Sequence, residues 1–369
     1  MTGGAGATRY AERLDRAAVV AGEAGLGALL ATPGPDLLYL TGHAPPPLER
    51  LTLLVVAPGR GPVLLVPLLE RPAALASPAA DRIEVLGWAD GEDPYTVAAE
   101  LLPPGPLAVT DQTWASHVLG LQEAAADRTF VAAGRAMPPL RAVKDEWELA
   151  ALAKAASAAD AAFADIVLVT FAGRREADVS ADLADTLRRH GHQVVDFTVV
   201  GSGPNGTSPH HEAGERVIAK GEAVVMDFGG HLDGYCSDIT RTVFVEQQPE
   251  EFDRVHDVVR RAQQAAFEAV RPGVPAEDVD RAARDVIDDA GYGEWFIHRT
   301  GHGIGLEIHE PPYIVAGNAT KLEAGMTFSI EPGIYLPGRF GARIEDIVAV
   351  TDDGAVRLNE APREPLAVR

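Results

Sequence analysis

A single cysteine, Cys236, stands among 369 residues. One thiol excludes an intramolecular disulfide and any zinc site built on cysteines. Basic residues are scarce too: 32 Lys and Arg against 54 Asp and Glu leave a net charge of −22. A nucleic-acid binder needs a basic footprint to neutralise phosphates, so nucleic acid is excluded as the main partner. The acidic balance favours solubility and suits cation binding. No apolar run approaches the roughly 18 residues of a membrane span. The opening MTGGAGATRYAERLDRAAVV lacks the basic start and apolar stretch of a signal peptide. These absences predict a cytoplasmic protein with no membrane partner.

Apolar residues make up 46% of the chain, enough for substantial cores in two or three domains. The spacing predicts an amphipathic helix from about Arg9 to Ala24, a buried strand at 28-ALLAT-32 and a proline-led helical turn at 35-PDLLYLTG-42. Two apolar runs flank a Gly/Pro turn in 51-LTLLVVAPGRGPVLLVPLLE-70, a hairpin signal. With further short strands at 82-RIEVLG-87 and 107-LAVT-110, residues 1–136 read as a small α/β domain. Its acids and histidines have no spacing that points to chemistry. A linker, 137-MPPLRAVKDEW-147, leads into a long helix from about Glu146 to Val169 and a second domain over 137–369.

That second domain repeats itself. The string 161-AAF…ADV-179 recurs as 265-AAF…EDV-279, and 221-GEAVVMDFGG-230 aligns with 325-GMTFSIEPGI-334. The first helix and this strand share an offset of 104 residues, which predicts two α+β halves about a pseudo-twofold axis. Asp227 then falls opposite Glu331, and each half carries a second acid after a turn, Asp238 and Glu345. A turn near Leu232–Asp233 would make Asp227 and Asp238 cross-strand neighbours about 5 Å apart. Pro337-Gly338 would do the same for Glu331 and Glu345. Four carboxylates in one pocket repel strongly unless cations lie between them.

Histidines strengthen that expectation. In 298-HRTGHGIGLEIHE-310, His302 is a candidate nitrogen ligand and His309 a neighbour of the metals that does not ligate. Gly301, Gly303 and Gly305 allow close backbone approach and do not have dinucleotide-binding spacing. In the other half, 202-SGPNGTSPHH-211 offers His210 and His211. His190, His192, His211 and His298 read as bystanders, as does Cys236. The aromatic residues Phe197, Tyr235, Trp295, Tyr313 and Tyr335 read as core.

With Asp227, Asp238, His302, Glu331 and Glu345 in that order, inside MDFGG, YCSDITRT, TGHGIGLEIHE, FSIEPGIY and ARIEDIVAVT, the chain resembles the pita-bread metallopeptidases. The resemblance covers residues 137–369, and more weakly the creatinase/prolidase-type N-terminal domain over 1–136. It implies an α+β pita-bread catalytic domain cleaving Xaa-Pro bonds, as a prolidase (Xaa-Pro dipeptidase) or an Xaa-Pro aminopeptidase. It implies two divalent cations per subunit, Mn²⁺ before Co²⁺ or Zn²⁺, and a bridging hydroxide. Asp238 and Glu345 would bridge, His302 and Glu331 complete one ion, and Asp227 chelate the other. Glu331 would shuttle a proton, and His210 and His309 would stabilise the tetrahedral intermediate. Arg343 would orient Glu345 or meet a substrate carboxylate, unless it is a structural ion pair. The implied partners are short proline-containing peptides and a second copy in a homodimer. A creatinase-like hydrolase of small non-peptide C–N bonds, or a non-catalytic pita-bread module, would not need the intact five-residue set.

Overall fold

The computed structural model describes residues 3–369. Residues 1 and 2, part of the expected N-terminal domain, lie outside the described residues. The chain divides into two compact units, Met1–Arg141 and Ala142–Arg369, where the sequence reading placed the division after Ala136. No helix among the described residues is long and apolar enough to cross a membrane.

The first unit is α/β. Its strands are β1 (Ala28–Ala31), β2 (Leu53–Val56), β3 (Val63–Pro67), β4 (Glu84–Trp88), β5 (Leu107–Val109) and β6 (Phe130–Ala132). They form one sheet in the order β4-β3-β2-β1-β5-β6. The Gly/Pro turn of the sequence joins β2 and β3 as an antiparallel pair, while β5 and β6 run parallel to β1. Buried Leu30, Leu53, Leu65 and Leu107 fill the core on its face.

The second unit has two halves, each with two helices on a sheet. Helices Glu146–Ile166 and Glu176–Arg189 cover β7 (Val194–Ser202), β8 (Ala223–Leu232) and β9 (Tyr235–Val245). Asp145 and Glu148 close a capping box that starts the first helix where the linker ends. Helices Phe252–Ala269 and Ala276–Asp289 pack over the other half. Its strands are β10 (Gly301–Gly303), β11 (Glu310–Ile314), β12 (Thr327–Ile330), β13 (Gly333–Leu336), β14 (Phe340–Arg343), β15 (Asp346–Val350) and β16 (Ala355–Arg357). The last strand, β17 (Leu366–Val368), returns beside β9 in the order β17-β9-β8-β7. Each half has its own apolar core.

The repeat has a physical signature. Gly221 and Gly325, which precede β8 and β12, both have positive φ, 82° and 91°. Both donate from N–H to the last residue of a strand, Val245 and Val350, at 2.8 and 2.9 Å. Glycine recurs at the head of the two strands because a Cβ is strained in that conformation.

One buried group is expected to make the second half acid-sensitive. His256 is 2% exposed on helix Phe252–Ala269, and its Nδ1 has no hydrogen-bond partner among the described residues. Burial, and then the nearby Arg260, push its pKa down to about 4, with opposing pulls from Asp253 and Asp257 and a further lowering by Arg241. The folded state holds this ring neutral, whereas the unfolded chain protonates it below about pH 6.5. Its stabilising neutrality is therefore present above pH 6.5 and lost as pH falls towards 4, by about 2 kcal/mol at pH 5. Urea melts at pH 7.5 and 5 are expected to converge in His256→Leu relative to wild type. An unchanged pH dependence in the variant would refute this assignment.

Candidate metal centre

Hairpin register decides where the first two acids meet. The turn is the two-residue Asp233-Gly234, with φ values of 52° and 85°, the type that matches strand twist. Leu232 therefore pairs with Tyr235, Asp227 with Thr240, and Gly229 with Asp238. The expectation that Asp227 and Asp238 stand directly opposite is corrected: they are diagonal neighbours. Shifting the turn centre by one position moves a partner by two residues, so both acids keep the same face. Gly229 leaves room beside Asp238, since a Cβ there would lie 2.1 Å from the Ser237 carbonyl oxygen.

The second pair sits at a break in a long hairpin. Ile330 pairs with Asp346 in one sheet and Gly333 with Arg343 in the next, a single register that faces Glu331 towards Glu345. At the break the backbone turns to other strands. Glu331 N–H donates to Thr300 O at 2.8 Å and Glu345 N–H to Thr240 O at 3.1 Å. These bonds place each glutamate between sheets, where its side chain reaches the hairpin acids.

His302 completes the group from β10. Gly301 and Gly303 let that strand lie tight against its neighbours: a Cβ at Gly301 would stand 1.8 Å from Ser329 O. The Nδ1 of His302 lies 3.2 Å from the Gly303 carbonyl, which accepts from it and leaves Nε2 as the ligand-capable nitrogen. That Nε2 lies 3.3 Å from Glu331 Oε1 and 3.6 Å from Asp238 Oδ2. Ligand atoms of Asp238, His302 and Glu345 all fall within 4.8 Å of one another.

Electrostatics show what this cluster demands. Burial, and then the charge of Glu345, push the Asp238 carboxyl well above the usual range. Burial, and then Glu331 and Asp227, do the same to Glu345. Asp227 is raised by burial, against the pull of Arg343. Glu331 escapes: burial would raise it, but its hydrogen bond and charge contact with His302 bring it down to about 2. Asp227 Oδ1, Asp238 Oδ1 and Glu345 Oε1 are buried with no hydrogen-bond partner among the described residues. Orphaned carboxylate oxygens are costly, and cations among them remove both the repulsion and the vacancy in bonding. The donor set of four carboxylates and one imidazole fits divalent ions.

The cluster lies against a cleft of about 780 Å³ whose walls include His210, His211, His298, Arg299 and His309. His309 stacks edge-on against His302, with ring centroids 4.1 Å apart, and His210 is exposed in the opposite half of the chain. Partial burial, and then His302 and Arg299, hold His309 below its ordinary pKa. Arg343 pairs with Asp227 Oδ2 at 2.6 Å, and also donates to Tyr335 Oη at 2.8 Å and Thr240 Oγ1 at 3.0 Å. Arg343 makes the ion pair with Asp227 and reaches Glu345 only through Thr240, whose Oγ1 donates to Glu345 Oε2 at 2.7 Å.

Three residues read as bystanders or core have structural work beside the cleft. His211 Nε2 lies 2.7 Å from the fully buried Glu176, which also accepts from Ser202 and Asn205 and so fixes the loop carrying His210. His298 Nε2 lies 2.8 Å from Tyr335 Oη, which links it to Arg343. The signal for His211 was its adjacency to His210; nothing in sequence linked His298 to Tyr335. Cys236 is buried beside Ile304 and Ile347, His192 bonds Ser237 at 2.8 Å, and His190 pairs with Asp165 away from the cleft.

These features, a repeated α+β unit with an acid-and-histidine cluster between its sheets, belong to a metal-dependent peptidase. Residues 150–352 match Metallopeptidase family M24 and residues 13–143 match the Creatinase/Prolidase N-terminal domain, and the chain belongs to family M24. It is 48% identical over 363 residues to the probable dipeptidase PepE of Mycobacterium tuberculosis, covering 97% of this chain and 96% of that one. Among solved structures it is similar to dipeptidase PepE from Mycobacterium ulcerans, at a TM-score of 0.92 with 48% identity and 98% of each chain covered. It is also similar to a prolidase from Thermococcus sibiricus, at a TM-score of 0.90 with 37% identity, covering 97% of this chain and 99% of that one. The expected pita-bread catalytic domain and creatinase/prolidase-type N-terminal domain are both present.

Proposed function

We propose that the protein is an Xaa-Pro dipeptidase, a prolidase, holding two divalent cations per subunit. The observation that carries this reading is the set of bare, buried oxygens on Asp227, Asp238 and Glu345 beside the cleft. The dipeptidases and the prolidase among the similar proteins support the substrate class. Asp227, Asp238, His302, Glu331 and Glu345 would hold the ions. Bound there, the ions would activate a water molecule and polarise the scissile carbonyl.

The chain's own groups divide the remaining tasks. His210 and His309 donate to the carbonyl oxygen as negative charge develops on it. Glu331 carries a proton towards the proline nitrogen, which has no hydrogen of its own in the substrate. Arg343 fixes one oxygen of Asp227 and leaves the other for a cation. Carboxylate-rich donors with one imidazole suit Mn²⁺, with Co²⁺ and Zn²⁺ as alternatives. We further propose that the protein works in the cytoplasm as a homodimer, which light scattering on the purified protein would test.

Cleavage of Ala-Pro and Ala-Pro-Ala with Mn²⁺, with and without chelator, tests the function. Ala-Pro is expected to be preferred by about tenfold or more in kcat/KM, with activity lost on chelation. Preference for the tripeptide would make the protein an Xaa-Pro aminopeptidase instead. Chelator-resistant cleavage would remove the metal from the mechanism.

A further inference from the structure

The cleft contains two arginines, and their surroundings differ. Arg343 is 3% exposed and committed to Asp227, Tyr335 and Thr240. Arg299 is half-buried in the cleft wall, and its guanidinium lies over the Tyr313 ring, 4.6 Å from the centroid. Among the described residues, no carboxylate pairs with it and no acceptor bonds its side chain. Surface arginines such as Arg175 and Arg281 are by contrast paired with acids.

Tyr313 sets where that charge sits. On β11 it pairs directly with His302 on β10, so the two side chains share a face of the sheet. A guanidinium stacked on that ring is therefore held at a fixed remove from the metal-ligating imidazole, with its planar N–H edge free. The cleft walls also include Asp196 and Glu212, besides the acids and histidines of the centre. Of the two lining guanidiniums, Arg299 is the one not already paired with a carboxylate, so paired N–H donors for a substrate carboxylate are available there.

We infer that Arg299, seated on Tyr313, is the carboxylate anchor of this cleft and determines its preference for substrates with a free carboxylate. The inference deepens the dipeptidase reading and rests on it. In a dipeptide the carboxylate one residue beyond the scissile bond meets the guanidinium through paired N–H donors. In a longer peptide that position is an amide, which gains nothing from the charge. Two sources present the same chemistry, the C-terminus of a dipeptide and the side chain of an acidic residue before proline.

The test compares hydrolysis of Ala-Pro, Ala-Pro-NH2 and Glu-Pro-NH2 by metal-loaded wild type, Arg299→Met, Arg299→Lys and Tyr313→Leu. Binding of L-proline and L-prolinamide to the same proteins is measured by calorimetry. Arg299→Met is expected to lower the preference for Ala-Pro over Ala-Pro-NH2 by about 10- to 100-fold, mainly through KM. Arg299→Lys should recover part of it, and Tyr313→Leu should lose a smaller factor. L-proline binding should weaken while L-prolinamide binding holds. A loss confined to Glu-Pro-NH2 relative to Ala-Pro-NH2 supports the anchor and assigns it to the acidic side chain. Equal losses on all substrates, or no loss, overturn it. If wild type cleaves none of the peptides, the dipeptidase reading fails. The binding arm then judges Arg299 alone: weakened L-proline with unchanged L-prolinamide supports the anchor, and with no peptide cleaved, equal changes for the two overturn it.

Discussion

Asp238→Ala is expected to reduce peptidase activity by about a thousandfold or more and to strip divalent metal from the purified protein. The size follows from its position. Asp238 is 3% exposed, its Oδ1 is bare, and its Oδ2 faces His302 Nε2 at 3.6 Å. It is therefore central to the cluster. Elemental analysis beside kinetics checks the result; a variant with wild-type metal content and activity would end the proposed ligand set.

The same centre predicts how metal binding depends on pH. Burial and like charge raise the carboxyls of Asp238 and Glu345, so the metal-free folded protein holds protons that the unfolded chain releases. For groups raised in this way, the stabilising contribution is present at low pH and lost as pH rises through the folded-state pKa. Cations displace those protons. The rise in melting temperature on adding Mn²⁺ should therefore grow from pH 5 to pH 8, and scans at fixed metal concentration would check it.

Arg241→Met should lower the stability of the second unit by about 3–5 kcal/mol. At roughly 2–4 °C per kcal/mol, its melting transition should fall by about 6–20 °C. Arg241 is 2% exposed, and all five of its N–H donors are used. Nε donates to Pro362 O, one terminal nitrogen to Thr240 O and Glu345 O, and the other to Asp346 Oδ1 and Ala361 O, at 2.6 to 2.9 Å. Methionine fills much of the volume but leaves Asp346 and several carbonyls in the interior without these bonds. Because one bond holds the Glu345 carbonyl, metal affinity should fall with stability. Calorimetric scans at matched metal concentration check the first effect, and a melting temperature within 2 °C of wild type would show the network to be dispensable.

The four acids were legible because they recur in a repeat and because like charges on apolar strands are costly without a cation, and His302 because it stands among closely spaced glycines and histidines. Asp233-Gly234 carried the hairpin signal too, and the sequence reading missed its centre by one position. The error was harmless to the site, since moving a partner by two residues preserves the face. His211, His298 and Tyr335 were illegible for another reason. Each is an ordinary side chain until a partner such as Glu176 or Arg343 is placed beside it.

Residue order alone determined the repeated halves, the five proposed ligands and the need for a cation, because periodicity, glycine placement and charge are local properties of a chain. Tertiary structure decided which arginine is free. Asp227 and Arg343 are 116 residues apart in the chain and 2.6 Å apart in space. Coulomb energy depends on that second distance, which no spacing along the chain reports. Only the folded protein distinguishes Arg343, consumed by Asp227, from Arg299, left on an aromatic ring in an acidic cleft.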